Sequence, residues 1–235
     1  MRIAMWSGPR NLSTAMMYSF AARGDCAVWD EPFYAPYLAN TALDHPVAAE
    51  IISAHEDNPD TVARACVGPI PGGKAHFYQK HMAHHMLPDF PMQWCAEVTH
   101  VHLIRHPARV IASYDAKREN PTLSDIGVQQ QLVLADKLGG LVIDSADIRA
   151  HPEQALIALC EAIGLPFTSA MLHWAPGGVP EDGVWAKHWY GAVHRSTGFA
   201  GPEGPLPDLD GELQPLLAQA MPFYRALETR KLATV

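Results

Sequence analysis

A chain of 235 residues is long enough to bury a sizeable core in one α/β domain and short for two, and 48% hydrophobic with 18% charged residues is not the composition of a disordered chain. The formal net charge of −8 argues against a nucleic-acid binder held by phosphate contacts, while leaving room for a local basic pocket. No stretch reaches the ~20 apolar residues of a membrane span, and the apolar run at the start is too short for a signal peptide, so no membrane partner and a cytoplasmic location are expected.

Arg2 to Trp6 is a short apolar run that stops at Ser7-Gly-Pro and predicts a buried strand ending in a loop. Ser13 to Arg23 carries Ala15, Met16, Tyr18, Phe20 and Ala22 and predicts a helix, with Gly24 as its C-cap signal. Cys26 to Trp29 reads as a second strand, followed by Asp30-Glu31-Pro32. Ala35 to Pro59 mixes helical pieces with polar breaks, Asp60 to Cys66 reads as a short helix, and Gly68 to Gly73 is a turn-rich connector. His76 to Lys80 is a strand candidate, and Leu87-Pro-Asp-Phe-Pro91 breaks the chain beyond it. His100 to Arg105 is a β-like run ended by His106-Pro107; Ala108 to Lys117 and Gln129 to Lys137 read as helices and Gly140 to Asp144 as a strand. Pro152 to Ile163 is an amphipathic helix with Ala155, Leu156, Leu159, Cys160 and Ile163 on one face, entered at a Pro and closed by Gly164. Pro166 to Pro207, rich in Gly, Pro and Trp, reads as loops, and Gly211 to Leu232 as a final helix. The alternation predicts a three-layer α/β/α fold, a single domain over 1–235 with a mostly parallel central sheet and helices on both faces. Such sheets bind ligands at the carboxyl ends of their strands.

The four cysteines, Cys26, Cys66, Cys95 and Cys160, show no C-x-x-C spacing and read as reduced, mostly buried thiols. The densest of the histidines are His81, His84 and His85; on a helix His81 and His85 would share a face, but the Glu of H-E-x-x-H is missing, so no metal is expected. Trp174, Trp185, Trp189 and Tyr190, with Phe33, Tyr34 and Tyr37, read as core or lid packing ahead of an aromatic acceptor cleft.

The loop Ser7-Gly-Pro-Arg-Asn-Leu-Ser-Thr14 runs from the first strand straight into a helix. A helix start offers unpaired N–H groups and the positive end of a dipole, which favour a phosphate. Ser13 and Thr14 add hydroxyls, and Arg10 adds a charge-assisted hold. The loop lacks the second Gly and the Lys of a Walker A motif, which disfavours ATP hydrolysis; an ordinary turn with a serine N-cap would use the same letters. The second basic element is Arg105-His-Pro-Ala-Arg-Val-Ile-Ala-Ser113. Arg105 closes a strand, Ser113 lies two turns along the following helix, and both can reach one phosphate, with Arg109 as the other cation. Two anion-grasping elements in one sheet imply a ligand with two separated phosphates.

These two segments resemble the sulfotransferase family that uses 3′-phosphoadenosine 5′-phosphosulfate. Pro9-Arg-Asn-Leu-Ser-Thr14 is similar to the family's Pro-Lys-Ser-Gly-Thr-Thr loop, with Arg10 for the Lys and Leu12 for the Gly. Arg105 to Ser113 is similar to its Arg-Asp-Pro-Arg-x-x-x-x-Ser motif, with His106 for the Asp, and Asp144 to Phe167 resembles a further helix of the family. The likeness covers about residues 2–34 and 100–167. It implies a P-loop nucleoside-triphosphate-hydrolase-like topology and sulfuryl transfer to a hydroxyl or amine of a small-molecule acceptor. It assigns Pro9, Arg10, Asn11, Leu12, Ser13 and Thr14 to the 5′-phosphosulfate and Arg105 and Ser113 to the 3′-phosphate. Arg195-Ser-Thr-Gly-Phe199 stands where the family has its C-terminal glycine motif, giving Arg195 a 3′-phosphate contact. Arg10 and Lys80 become the cations at the transferring group, and His85, then Glu31, the base. Apart from the acceptor, a second copy in a homodimer is the one partner left open. The alternatives are a small-molecule kinase, with Asp30 as magnesium ligand but no loop Lys, and a nucleotide-binding protein of this fold without turnover.

Overall fold

The computed structural model describes residues 1–41, 43, 47–116 and 121–234. Five strands, β1 (Arg2–Ser7), β2 (Cys26–Asp30), β3 (His76–Met82), β4 (Thr99–Ile104) and β5 (Leu141–Asp144), form one sheet in the order β2-β3-β1-β4-β5. Every pairing is parallel. The helices are α1 (Ser13–Ala21), α2 (Tyr34–Thr41), α3 (Ala48–Ala54), α4 (Pro59–Val67), α5 (Pro107–Asp115), α6 (Leu123–Ile126), α7 (Val128–Leu138), α8 (Ser145–Ala150), α9 (Pro152–Ile163), α10 (Ala186–Trp189) and α11 (Gln214–Glu228).

Successive residues of a strand point to opposite faces, and β1 shows what each face meets. Ile3 and Met5 enter a core with Met16 and Phe20 of α1 and Leu156 and Leu159 of α9. Ala4 and Trp6 enter another with Val62 and Cys66 of α4 and Leu134 of α7. With both faces covered, β1 is apolar from Ile3 to Trp6 instead of alternating, which is why its run was readable. α9 has its expected Pro at the first turn and Gly164 as a left-handed C-cap at φ 73°. The strand order reverses at β1: the chain leaves it through α1 to β2 on one side, and β3 crosses back past it to β4 on the other. A crevice therefore opens over the carboxyl ends of β3, β1 and β4.

Some expectations are corrected. α1 ends at Ala21 with Ala22 as its cap, and Gly24 (φ 79°) lies in the turn before β2. The helix expected to Lys117 runs to Asp115, and Lys117 lies outside the described residues. The segment read as loops contains α10 and two 3-10 turns. His81 and His85 share no helix face, because β3 continues to Met82 and keeps His81 in the sheet. There it stacks on Trp6 at 4.6 Å, with Nε2 3.1 Å from Gln79 Oε1, while His84 and His85 follow in a 3-10 turn. Among the described residues no group of three His, Cys, Asp or Glu side chains is arranged to hold a metal ion, all four cysteines are buried, and no helix is long and apolar enough to cross a membrane.

Burial pushes the His81 imidazole down to about 3 and, against the pull of its Gly139 carbonyl partner, that of His102 to about 4. A histidine depressed in the folded state contributes stability above its unfolded pKa, near 6.5, and that stability is lost as the pH falls towards the folded value. Each should cost about 2 kcal/mol between pH 7.5 and pH 5. Urea denaturation at the two pH values checks this: His81→Phe should shrink the difference by about 2 kcal/mol, whatever its effect at pH 7.5, and an unchanged difference would refute the assignment.

Candidate active site

The turn from β1 into α1 is tightly constrained. A Cβ on Gly8 would lie 2.6 Å from the Ile126 carbonyl oxygen, so only glycine lets the loop pass. Arg10 (φ 57°) and Leu12 (φ 63°) adopt left-handed backbone, which costs a non-glycine residue about 1–2 kcal/mol. Leu12 thus keeps the turn that a glycine makes without strain. It is also the N-cap of α1 and has no side-chain oxygen, so the helix start carries no side-chain cap; the reading with a serine cap is replaced. An uncapped helix start beside the Ser13 and Thr14 hydroxyls is an anion-binding arrangement. Asn11 anchors the loop: its buried side chain donates through Nδ2 to the Leu103 carbonyl of β4 at 2.5 Å.

The register of β2 on β3 sets Asp30 beside Lys80, with their side chains on one face. Lys80 Nζ donates to Asp30 Oδ1 at 2.8 Å, to Glu31 Oε1 at 2.5 Å and to the Tyr190 hydroxyl at 2.5 Å, which takes up all three ammonium donors. Glu31 joins from the residue after β2 by taking a left-handed φ of 44°. Burial works against the Lys80 ammonium, but the two carboxylates outweigh it and hold its pKa above the ordinary value. For Glu31, burial raises the pKa and wins over the opposing pull of Lys80. His85 stacks on Tyr34 at 4.4 Å and on Tyr37 at 4.8 Å, and its Nδ1 lies 3.8 Å from Glu31 Oε2.

At the end of β4, Arg105 donates through Nη1 to the Arg10 carbonyl at 2.6 Å, and Arg10 Nε donates to Ser113 Oγ at 2.9 Å. The two basic elements are thereby tied together. Burial and the neighbouring Arg105 cation both lower the Arg10 pKa. The Arg105 side chain also pairs with Glu203, as do Arg109 and Arg149.

Pro9, Arg10, Asn11, Leu12, Ser13, Thr14, Glu31, Lys80, His85, Arg105 and Ser113 all line one cavity of about 530 Å³. Arg195 does not: it is exposed at the end of a 3-10 turn, and Ser196 and Gly198 reach the lining instead. The aromatic expectation divides. Tyr34, Trp189 and Tyr190 line the cavity, whereas Phe33 packs against Trp94 and Phe90, and Trp174 against Tyr18 and Phe199. Sequence reasoning missed the Asp30–Tyr190 partnership of Lys80, although Asp30 directly follows one expected strand and Lys80 closes another. It also missed Arg149 and Glu203.

A family model described as "Sulfotransferase domain" matches residues 1–231. The chain belongs to the sulfotransferase-domain family. It is similar to two Arabidopsis thaliana proteins, branched-chain-amino-acid aminotransferase-like protein 1 (36% identity over 237 residues) and protein 2 (35% over 235 residues). These alignments take in 97% and 96% of this chain and 41% of each relative, so the chain spans about two-fifths of the length of these relatives. Among solved structures it is similar to the sulfotransferase domain of the Synechococcus PCC 7002 olefin synthase, with a TM-score of 0.53, 17% identity and 94% of each chain covered. It is also similar to the sulfotransferase domain of the curacin biosynthetic pathway, with a TM-score of 0.50 and 18% identity over 93% of this chain and 96% of that one. At these identities the two structures establish the shared fold.

Because Lys80 is buried between carboxylates, Lys80→Met should cost about 3–5 kcal/mol of stability, the penalty for leaving buried charge unpaired. Adding Glu31→Gln should recover part of it. Urea denaturation of the single and double variants at pH 7.5 measures both; a loss under about 1 kcal/mol, the range of surface pairs, would count against the network.

Proposed function

We propose that this chain transfers the sulfuryl group of 3′-phosphoadenosine 5′-phosphosulfate to a hydroxyl or amine of a small-molecule acceptor. The observation that supports it most is the meeting, in one cavity, of the uncapped start of α1, the Lys80–Glu31–His85 group and the Arg105–Ser113 pair. In this reading the 5′-phosphosulfate lies on Arg10, Ser13, Thr14 and the first amides of α1, and the 3′-phosphate on Arg105 and Ser113. The acceptor oxygen or nitrogen attacks sulfur in line; that bond forms as the bond from sulfur to the 5′-phosphate oxygen breaks, and the acceptor proton passes to His85. Stacking on Tyr34 and Tyr37 fixes the imidazole plane, and the Glu31 carboxylate stabilises the imidazolium that forms. Arg10 and the helix dipole meet the charge developing on the leaving phosphate. Lys80 adds a donor by exchanging its Tyr190 hydroxyl partner for a phosphosulfate oxygen.

A second reading, a nucleotide-binding protein of this fold without turnover, draws on one observation: Lys80 spends its three donors on partners within the protein, and each nitrogen of Arg105 donates to one. The kinase alternative loses its magnesium ligand, since Asp30 is engaged with Lys80, Tyr190 and the Gly183 amide.

Calorimetry with adenosine 3′,5′-bisphosphate tests the nucleotide site, and absence of binding at millimolar nucleotide would sink it. Arg10→Ala and Arg105→Ala should each weaken binding about 10- to 100-fold, the worth of a hydrogen bond to a charged group. Transfer of labelled sulfate to a panel of acceptors then separates the two readings. His85→Ala should abolish transfer while leaving bisphosphate affinity within about twofold, since the substitution touches the acceptor side and not the phosphate contacts.

A further inference from the structure

The arginines at the end of β4 do not stand open. Glu203, whose side chain is 3% exposed, lies among Arg105, Arg109 and Arg149. Its Oε1 accepts from Arg105 Nε at 3.1 Å, from Arg105 Nη2 and from Arg149 Nη1 at 2.9 Å, and its Oε2 lies 2.9 Å from Arg109 Nε. The three guanidiniums come from separate elements, the end of β4, α5 and α8. The loop that carries Glu203 is gripped on both sides: Arg149 Nε donates to the Gly201 carbonyl at 2.9 Å and Arg109 Nη2 to that of Gly204. The same loop brings Gly198 and Ala200 to the cavity wall.

We propose that Arg105, Arg109 and Arg149 form a phosphate-monoester site for which the Glu203 carboxylate is the built-in competitor. Each nitrogen of Arg105 is engaged, Nε and Nη2 by Glu203 and Nη1 by the Arg10 carbonyl. The Nε–Nη2 edge is the one that grips an oxyanion with two parallel hydrogen bonds, so a phosphate takes it only when Glu203 leaves. Ser113 Oγ accepts from Arg10 Nε and keeps its own O–H to donate. Charge favours the exchange. Three guanidiniums face one carboxylate here, and a phosphate monoester, carrying about −1.5 to −2, balances them better than the single charge of Glu203. Its oxygens can also meet three guanidiniums from three directions, where a planar carboxylate offers two. The nucleotide's 3′-phosphate then binds by substitution, releasing the segment around Gly201–Gly204 from the arginines as it enters. This rests on the nucleotide reading given above for its ligand, but not for the anion site itself.

Calorimetry compares wild type with Glu203→Gln, using adenosine 3′,5′-bisphosphate and adenosine 5′-monophosphate. The variant should bind the bisphosphate about tenfold more tightly, and the monophosphate, which has no 3′-phosphate, with affinity unchanged within about twofold. A parallel thermal-melt series in sodium sulfate, against sodium chloride at equal ionic strength, needs no nucleotide; sulfate should raise the melting temperature of Glu203→Gln more than that of wild type. Bisphosphate affinity unaltered by the substitution, or equal gains for both nucleotides, overturns the proposal while leaving the nucleotide reading intact. If neither protein binds either nucleotide, the nucleotide reading fails, and the sulfate series decides the anion site alone: equal shifts in the two proteins overturn it. Should Glu203→Gln not fold, Glu203→Asp, which keeps the charge but withdraws it by one methylene, must show a smaller gain of the same kind, and no gain again overturns the proposal.

Discussion

The buried contact between Lys80 and its two carboxylates organises one end of the cavity. Parallel register places Asp30 opposite Lys80 on the neighbouring strand, and neither side chain is more than 1% exposed. An ion pair so deep is not a gain in itself, because desolvation offsets most of the attraction. What it does is fix geometry. Asp30 Oδ2 accepts the Gly183 amide at 3.2 Å, the Tyr190 hydroxyl bridges Asp30 and Glu31, and Trp185 Nε1 donates to that hydroxyl at 2.9 Å. The segment 183–190 holds only the four-residue helix α10, and the wall it gives the cavity is tied by hydrogen bonds to Asp30, Glu31 and Lys80.

Backbone strain gathers in the same place. Among the described residues the non-glycine positions with positive φ are Arg10, Leu12, Glu31 and Val47, and the first three line the cavity. Each lies just past the end of a strand, where the chain turns over the crevice. Leu12 gives up a relaxed backbone to leave α1 uncapped towards the site, and Glu31 does so to bring its carboxylate under Lys80. Strain of this kind persists where surrounding contacts over-determine the conformation. Here the contacts are the Asn11 tie to β4 and the three-donor ammonium.

The frame was legible in the sequence because strands buried on both faces write themselves as apolar runs. The loop Ser7–Thr14 and the Arg105–Ser113 spacing were legible because strand-to-helix turns carry their chemistry in adjacent letters. The His81–His85 spacing misled, since an interval of four reads as a helix face until the strand is known to reach Met82. Arg195 was placed by order along the chain, whereas the residues that share a carboxylate with Arg105 are Arg109 and Arg149. Glu203 left no local trace: it meets Arg105 across 98 residues and Arg149 across 54, and its neighbours, Gly-Pro on either side, announce only a turn.

The two charged groups that reach the cavity, one through Arg105 and the other through Lys80 and Glu31, are built in opposite senses. At the ends of β2 and β3 two carboxylates share one ammonium; at the end of β4 three guanidiniums share one carboxylate. Such a pair of clusters in a partly desolvated cleft sets up a field along it. On the proposed reading, an anionic donor is drawn towards the arginines and kept from the Glu31 end, so its direction is chosen before any single hydrogen bond is made. The opposite end then suits a group that must lose a proton, because Glu31 lies beside His85 and would stabilise an imidazolium there. On the proposed reading, one gradient of charge then serves both partners of the reaction: it orients the phosphates at one end and favours proton removal at the other.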